Sequence, residues 1–131
     1  TWILDVGCGE GFPARQFTAQ MGARKVVGVD ISKEMIAKAE RTAKEQGIVI
    51  PDQQCFLVGS ANKLTETLHD NFHRVGVLPG AELYQFGCFD MSVAIFLFNY
   101  LSTQETFHCI KDVYNLLRPG GVFVFVVPHP L

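Results

Sequence analysis

The chain has little charge of either sign: 11 Lys+Arg face 13 Asp+Glu among 131 residues, a net of −2. No basic block stands out, so the sequence offers no electrostatic footprint for a phosphate backbone or an anionic lipid surface. Nucleic acid is therefore not an expected partner. A long apolar run is also missing. The longest, Met91 to Phe98, is under half of the roughly 20 residues that a membrane-spanning helix needs, so no membrane segment and a cytoplasmic location are expected. The four cysteines, Cys8, Cys55, Cys88 and Cys109, lie far apart and lack the C-x-x-C spacing of a zinc ribbon or redox pair. They read as small core or loop residues. His69 and His73 stand one helical turn apart, but no Cys, Glu or third His is read as completing a set nearby, and no metal site is expected.

What the chain does have is apolar residues, 48% of the total. At this length a single domain buries roughly two-thirds of its unfolded surface and needs no disulfide or metal to stabilise it. The whole of residues 1–131 reads as that one domain, without repeats, low-complexity tracts or a linker.

Short β-rich runs alternate with helical periodicity, which is the pattern of βαβ units and a parallel sheet. The strand candidates are Trp2 to Val6, Lys25 to Val29, Cys55 to Val58, Met91 to Phe96 and Val122 to Val127. They are apolar on both faces, as when helices cover both sides of a sheet. Pro13 opens a helix with Phe17 and Met21 one turn apart, and Gly22 closes it. Ser32 caps a second helix with Met35, Ile36, Ala39 and Ala43 inward and Gly47 as its stop. Leu64, Leu68 and Phe72 predict a third, followed by a loop with Pro79 and Gly80 and room for an insertion. Ser102 and Glu105 form a capping box for the last, with Phe107, Ile110, Tyr114 and Leu117 inward, and Arg118-Pro119-Gly120-Gly121 turns into the fifth strand. The chain starts almost on its first strand and stops just past its fifth, so it reads as a fragment truncated at both ends, with Val122 to Val127 left as an apolar edge.

In an open parallel sheet the turns after the strands share one rim, and ligands bind there where the strand order reverses. After the first strand comes Asp5-Val6-Gly7-Cys8-Gly9-Glu10-Gly11, whose alternate glycines permit unusual backbone angles and close approach of a ligand. After the second comes Asp30, an acid placed for the two hydroxyls of a ribose. A dinucleotide fold also joins a glycine turn to an acid about twenty residues on. Here, however, Phe12 takes the place of the last glycine of G-x-G-x-x-G. Asp5, Glu10 and Asp30 also crowd the turn, with only Arg15 of opposite sign nearby. Three carboxylates repel a pyrophosphate and suit a ligand carrying a sulfonium and an ammonium.

On these residues the chain resembles the class I S-adenosylmethionine-dependent methyltransferases of the small-molecule type. ILDVGCGEG is similar to the family's first motif and VVGVDISKEMIAKA to its second. FDMSVAIFLFNYL resembles the segment around its fourth strand, and LLRPGGVFVFVVPHPL the helix end, turn and fifth strand. The resemblance spans nearly the whole chain, in family order. It implies a Rossmann-like open, mostly parallel twisted sheet of strand order 3-2-1-4-5 with helices on both faces, and S-adenosyl-L-methionine as cofactor. Carried over by position, Gly7, Cys8 and Gly9 form the glycine turn, with Gly7 and Gly9 against the methionine part and Asp5 holding its amino group directly or through water. Asp30 takes the ribose, with Ile31 and Met35 around ribose and adenine. Ser60 and Ala61 border the adenine, where many relatives have Asp in place of Ser60, so Asn62 is the substitute polar group. Ala94 and Ile95 line the methionine side.

Methyl transfer from a sulfonium is an in-line displacement that needs alignment and no protein nucleophile. A general base helps only where the acceptor must lose a proton. His129, directly after the fifth strand, is the catalytic candidate, against a plain loop role between Pro128 and Pro130. Tyr100 is placed either to orient an acceptor or to pack. The expected partner is a small-molecule methyl acceptor, because no N-P-P-Y or Pro-Cys follows the fourth strand; oligomeric state is left open. The alternatives are a catalytically silent methyltransferase-like scaffold or binding domain and an NAD-dependent oxidoreductase.

Overall fold

A computed structural model describes residues 1–76 and 87–129. Five parallel strands, β1 (Trp2–Val6), β2 (Lys25–Asp30), β3 (Gln54–Val58), β4 (Phe89–Ile95) and β5 (Leu117–Val126), form one sheet. Its order is β3-β2-β1-β4-β5, as the resemblance implies. The order reverses at β1, between β2 and β4, and this opens a crevice where the chain leaves β1. The expected loop around Pro79 and Gly80 lies outside the described residues.

Alternation along the strands divides the core. Leu4, Val27 and Leu57 face the side covered by α3 (Leu64–Asp70), α4 (Phe72–Val75) and α5 (Thr103–Leu116). Ile3, Val26 and Phe56 face α1 (Phe12–Met21) and α2 (Lys33–Glu45). Strands buried on both faces have no polar side to show, which is why they read as continuous apolar runs.

The helix ends follow the sequence signals. Gly22 closes α1 at φ 63°, with the Ala23 N–H donating to the Phe17 carbonyl at 3.1 Å. The Ser32 hydroxyl accepts from the Met35 N–H at 3.2 Å. At α5 both arms of the capping box form: the Glu105 N–H donates to the Ser102 hydroxyl at 3.1 Å, and the Ser102 N–H to the Glu105 carboxylate at 2.9 Å.

Three expectations are corrected. The face that α5 buries carries Cys109, Val113 and Leu116, while Phe107, Ile110 and Tyr114 are exposed. Met35 is likewise exposed rather than inward. The Arg118-to-Gly121 turn lies inside β5: Phe89 pairs with Leu117 and Met91 with Val122, so the extra residues bulge, with Gly120 at φ 83°. Asp90 holds this irregularity by accepting from Arg118 at 3.0 Å and from the Trp2 N–H at 2.8 Å. Val122, Val124, Phe125 and Val126 are all exposed on β5, the expected apolar edge.

Candidate functional site

The glycine turn is built by the loss of β geometry after Val6. Gly7, Gly9 and Gly11 adopt φ of 73°, 56° and 90°, a region that costs a side-chain-bearing residue free energy. The Gly7 and Cys8 N–H groups both donate to the Val29 carbonyl, at 2.7 and 3.0 Å, so the turn folds back over the end of β2. The Gly9 N–H donates to one Asp30 carboxylate oxygen at 2.9 Å, and the Ser32 N–H to the other at 2.9 Å. Asp30 is thus locked against the turn. With the Gly11 N–H bonded to the Cys8 carbonyl, these four turn amides are satisfied within the protein and do not form a nest for phosphate.

The local charge is acidic. Arg15, nearly buried, is taken up by Glu10, donating to its carbonyl at 2.8 Å and to its carboxylate at 2.9 Å. Asp5 lies buried behind the turn, and one of its carboxylate oxygens has no hydrogen-bond partner. Burial, with the Asp30 carboxylate adding to it, pushes the Asp5 carboxyl up to about 7. The same burial, followed by the Asp5 and Asp30 charges, raises the Cys8 thiol. It therefore stays protonated and is no nucleophile.

A cleft of about 340 Å³ opens in front of the turn, within the range of roughly 300–1,000 Å³ typical of small-molecule sites. It brings Gly7, Asp30, Ile31, Ser60, Ala61 and Tyr100 together. Ile31 is 75% exposed and so is free to meet a ligand. Gly59 holds the turn after β3 close to α3, since a Cβ there would lie 2.4 Å from the Thr67 hydroxyl oxygen. The Ser60 hydroxyl donates to the Asn62 side-chain oxygen, tying the polar pair at this end.

Other expected residues are not in the cleft lining. Cys8 and Ala94 are buried, Met35 and Ile95 are exposed, and Gly9 is bound to Asp30 with open space where a Cβ would project. His129 is exposed just beyond β5 and does not line the cleft. Sequence reasoning did not select Leu97, Leu101 or Glu105 for the site, yet all three line it. Leu97 is also the side chain a Cβ at Gly7 would meet, at 3.1 Å. The available signal for Glu105 was its capping role, because a helix starting on the rim places its first acid there. Among the described residues no cluster of His, Cys, Asp and Glu could hold a metal ion, and no helix is long and apolar enough to cross a membrane.

A fold whose strand order reverses beside a glycine turn, with an acid hydrogen-bonded across it, defines a nucleoside-binding α/β domain. Residues 4–125 match the family model described as a methyltransferase domain, and the chain belongs to that family. It is 40% identical over 123 residues to a ubiquinone biosynthesis O-methyltransferase of Nitrosococcus oceani, covering 94% of this chain and 42% of that protein. It is 27% identical over 146 residues to an mRNA cap guanine-N(7) methyltransferase of Meyerozyma guilliermondii, covering 98% and 24%. The crystal structure of the [4+2]-cyclase SpnF superposes with a TM-score of 0.69 at 27% identity, covering 94% of this chain and 37% of that one. The chain thus spans less than half the length of these relatives.

Proposed function

We propose that this domain binds S-adenosyl-L-methionine in the cleft and transfers its methyl group to a small-molecule acceptor by in-line displacement. The observation that carries the reading is the Asp30 carboxylate, held at the cleft by Gly9 and Ser32 with lone pairs left for two ribose hydroxyls. The unpartnered, buried oxygen of Asp5 behind the glycine turn fits a cationic ammonium, directly or through water. Gly7 and Gly9 keep side-chain bulk away from the methionine part, with Cys8 packed between them and Ala94 and Ile95 on the same side. Ile31 and Met35 flank ribose and adenine, while Ser60, Ala61 and Asn62 border the base. When bound, the cofactor supplies an electrophilic methyl on a sulfonium. The protein's work is to hold the acceptor in line with it, an arrangement worth up to roughly 7–11 kcal/mol in favourable cases. Where the acceptor must lose a proton, His129, outside the cleft lining but just beyond β5, is the candidate base, against a plain loop role between Pro128 and Pro130.

A small acceptor is favoured over nucleic acid because the charged lining of the cleft consists of Asp30 and Glu105, with no Lys or Arg among the described residues that line it. The satisfied turn amides argue against a dinucleotide and hence against the oxidoreductase alternative. A second reading, a domain that keeps the fold without methyl transfer, is favoured by one observation: the neighbour SpnF is named as a cyclase. Thermal denaturation of the intact protein with S-adenosylmethionine, S-adenosylhomocysteine or NAD⁺ tests the assignment. Stabilisation by the first two and not by NAD⁺ is expected, and the reverse order contradicts it. Methyl transfer to any acceptor then separates the enzyme from the silent domain.

A further inference from the structure

We infer that Glu105 is the residue that selects adenine, its carboxylate accepting a hydrogen bond from the exocyclic amine of the base. The inference deepens the S-adenosylmethionine reading of the cleft and rests on it. Asp30 joins the two ends of the cleft. Its carboxylate accepts from the Gly9 N–H in the turn after β1 at 2.9 Å, and its carbonyl from the Gly59 N–H in the turn after β3 at 3.0 Å. With the ribose on Asp30 and the methionine part along Gly7 and Gly9, the base falls at the β3 end, against Ser60 and Ala61.

The register of α5 puts Glu105 at that same end. Glu105, Cys109 and Asp112 succeed one another at helical spacing along one face of α5. Asp112 accepts from the Thr65 N–H in α3 at 3.4 Å, and Cys109 is fully buried in the core cluster against which Ala61 packs. The helix also packs on the short helical turn Ala61–Lys63. One turn nearer the rim than Cys109, Glu105 shares the cleft lining with Ser60 and Ala61.

Its chemistry suits an amine. Adenine carries an N–H donor at the position where hypoxanthine carries a carbonyl acceptor, so an acceptor-only group beside it separates the two bases. Asp30 and Glu105 are the carboxylates that line the cleft, and the ribose engages Asp30. Hydrogen bonds from Ser102, that of its backbone N–H first, hold the Glu105 carboxyl below the usual carboxylate range, so it stays ionised and donates nothing. An ionised carboxylate has about four lone-pair positions, and the bond from the Ser102 N–H leaves others for a ligand.

The test measures, by calorimetry on the intact protein, the affinities for S-adenosylhomocysteine and for S-inosylhomocysteine, its 6-oxo counterpart. The parent should favour the adenosyl compound by roughly tenfold or more, as when a charged acceptor loses its donor. Glu105→Gln keeps an oxygen for the cap but offers the base an amide donor, so the preference should vanish or reverse, and Glu105→Ala should also abolish it. Ser102→Ala weakens the same cap with the carboxylate in place, and its ratio should stay within about twofold of the parent's. Because the ratio is read within each protein, whichever Glu105 variant folds decides the matter. Equal or reversed preference in the parent, a preference kept without the carboxylate, or one lost equally in Ser102→Ala overturns the inference. Failure of the parent to bind either compound instead overturns the S-adenosylmethionine reading beneath it.

Discussion

Two carboxylates with opposite surroundings set the chemistry at the scale of the residue. Asp30 sits at the cleft with backbone N–H donors on both oxygens, whereas Asp5 is buried with one oxygen unpartnered. Asp30→Ala is expected to cost S-adenosylhomocysteine binding about 1.5–3 kcal/mol, the contribution of hydrogen bonds to a charged acceptor, as read by calorimetry. Affinity unchanged in that variant would remove the ribose assignment. Asp5 predicts a pH effect of definite sign. Its carboxyl ordinarily titrates near 3.8 and is raised to about 7 in the fold, so between these values the folded state holds a proton the unfolded chain has released. Its contribution to stability is thus fully present below about 4 and is lost as pH rises through about 7. At 1.36 kcal/mol per pH unit this is on the order of 4 kcal/mol. Subtracting the urea-derived stability of Asp5→Asn from that of the parent should give a difference that falls across this window; a flat difference would mean that Asp5 is not protonated in the fold.

The elements show where sequence reasoning succeeds and where it fails. Helix ends were legible because they are local chemistry: Gly22, Ser32 and the Ser102–Glu105 pair act on backbone groups within a turn of themselves. Ser102→Ala should therefore destabilise the domain by about 1 kcal/mol in denaturant titration, and no loss would show that the cap is idle. The buried face of α5 was misread because two candidate stripes share its surface. Phe107, Ile110 and Tyr114 are the larger residues, yet the smaller Cys109, Val113 and Leu116 are the ones buried in the core. Site residues directly after strands were legible for a topological reason: the rim is common to all βα turns. Leu97 and Leu101 are not, because they reach the cleft through the path of the chain between β4 and α5, which no local pattern encodes, whereas Glu105 in the first turn of α5 shows in the sequence only as a cap.

For the whole molecule, the sheet order β3-β2-β1-β4-β5 and the reversal at β1 are those the family resemblance implies; handedness alone leaves other doubly wound orders open. The fifth strand adds a liability: among the described residues it pairs with β4 alone and leaves Val122, Val124 and Val126 partly exposed. Residues 1–131 produced alone should self-associate with rising concentration in analytical ultracentrifugation, and Val124→Lys with Val126→Lys should suppress it. Association unaffected by both lysines would place the contact elsewhere. The central claim, that a cleft at the sheet's reversal point is shaped for an adenosyl sulfur compound, is tested most directly by a crystal structure of the intact protein with S-adenosylhomocysteine. The ribose hydroxyls should lie about 2.5–3.0 Å from the Asp30 carboxylate, with the amino-acid part along Gly7 and Gly9. A ligand bound away from Asp30, or the cleft left empty at saturating concentration, would contradict the account.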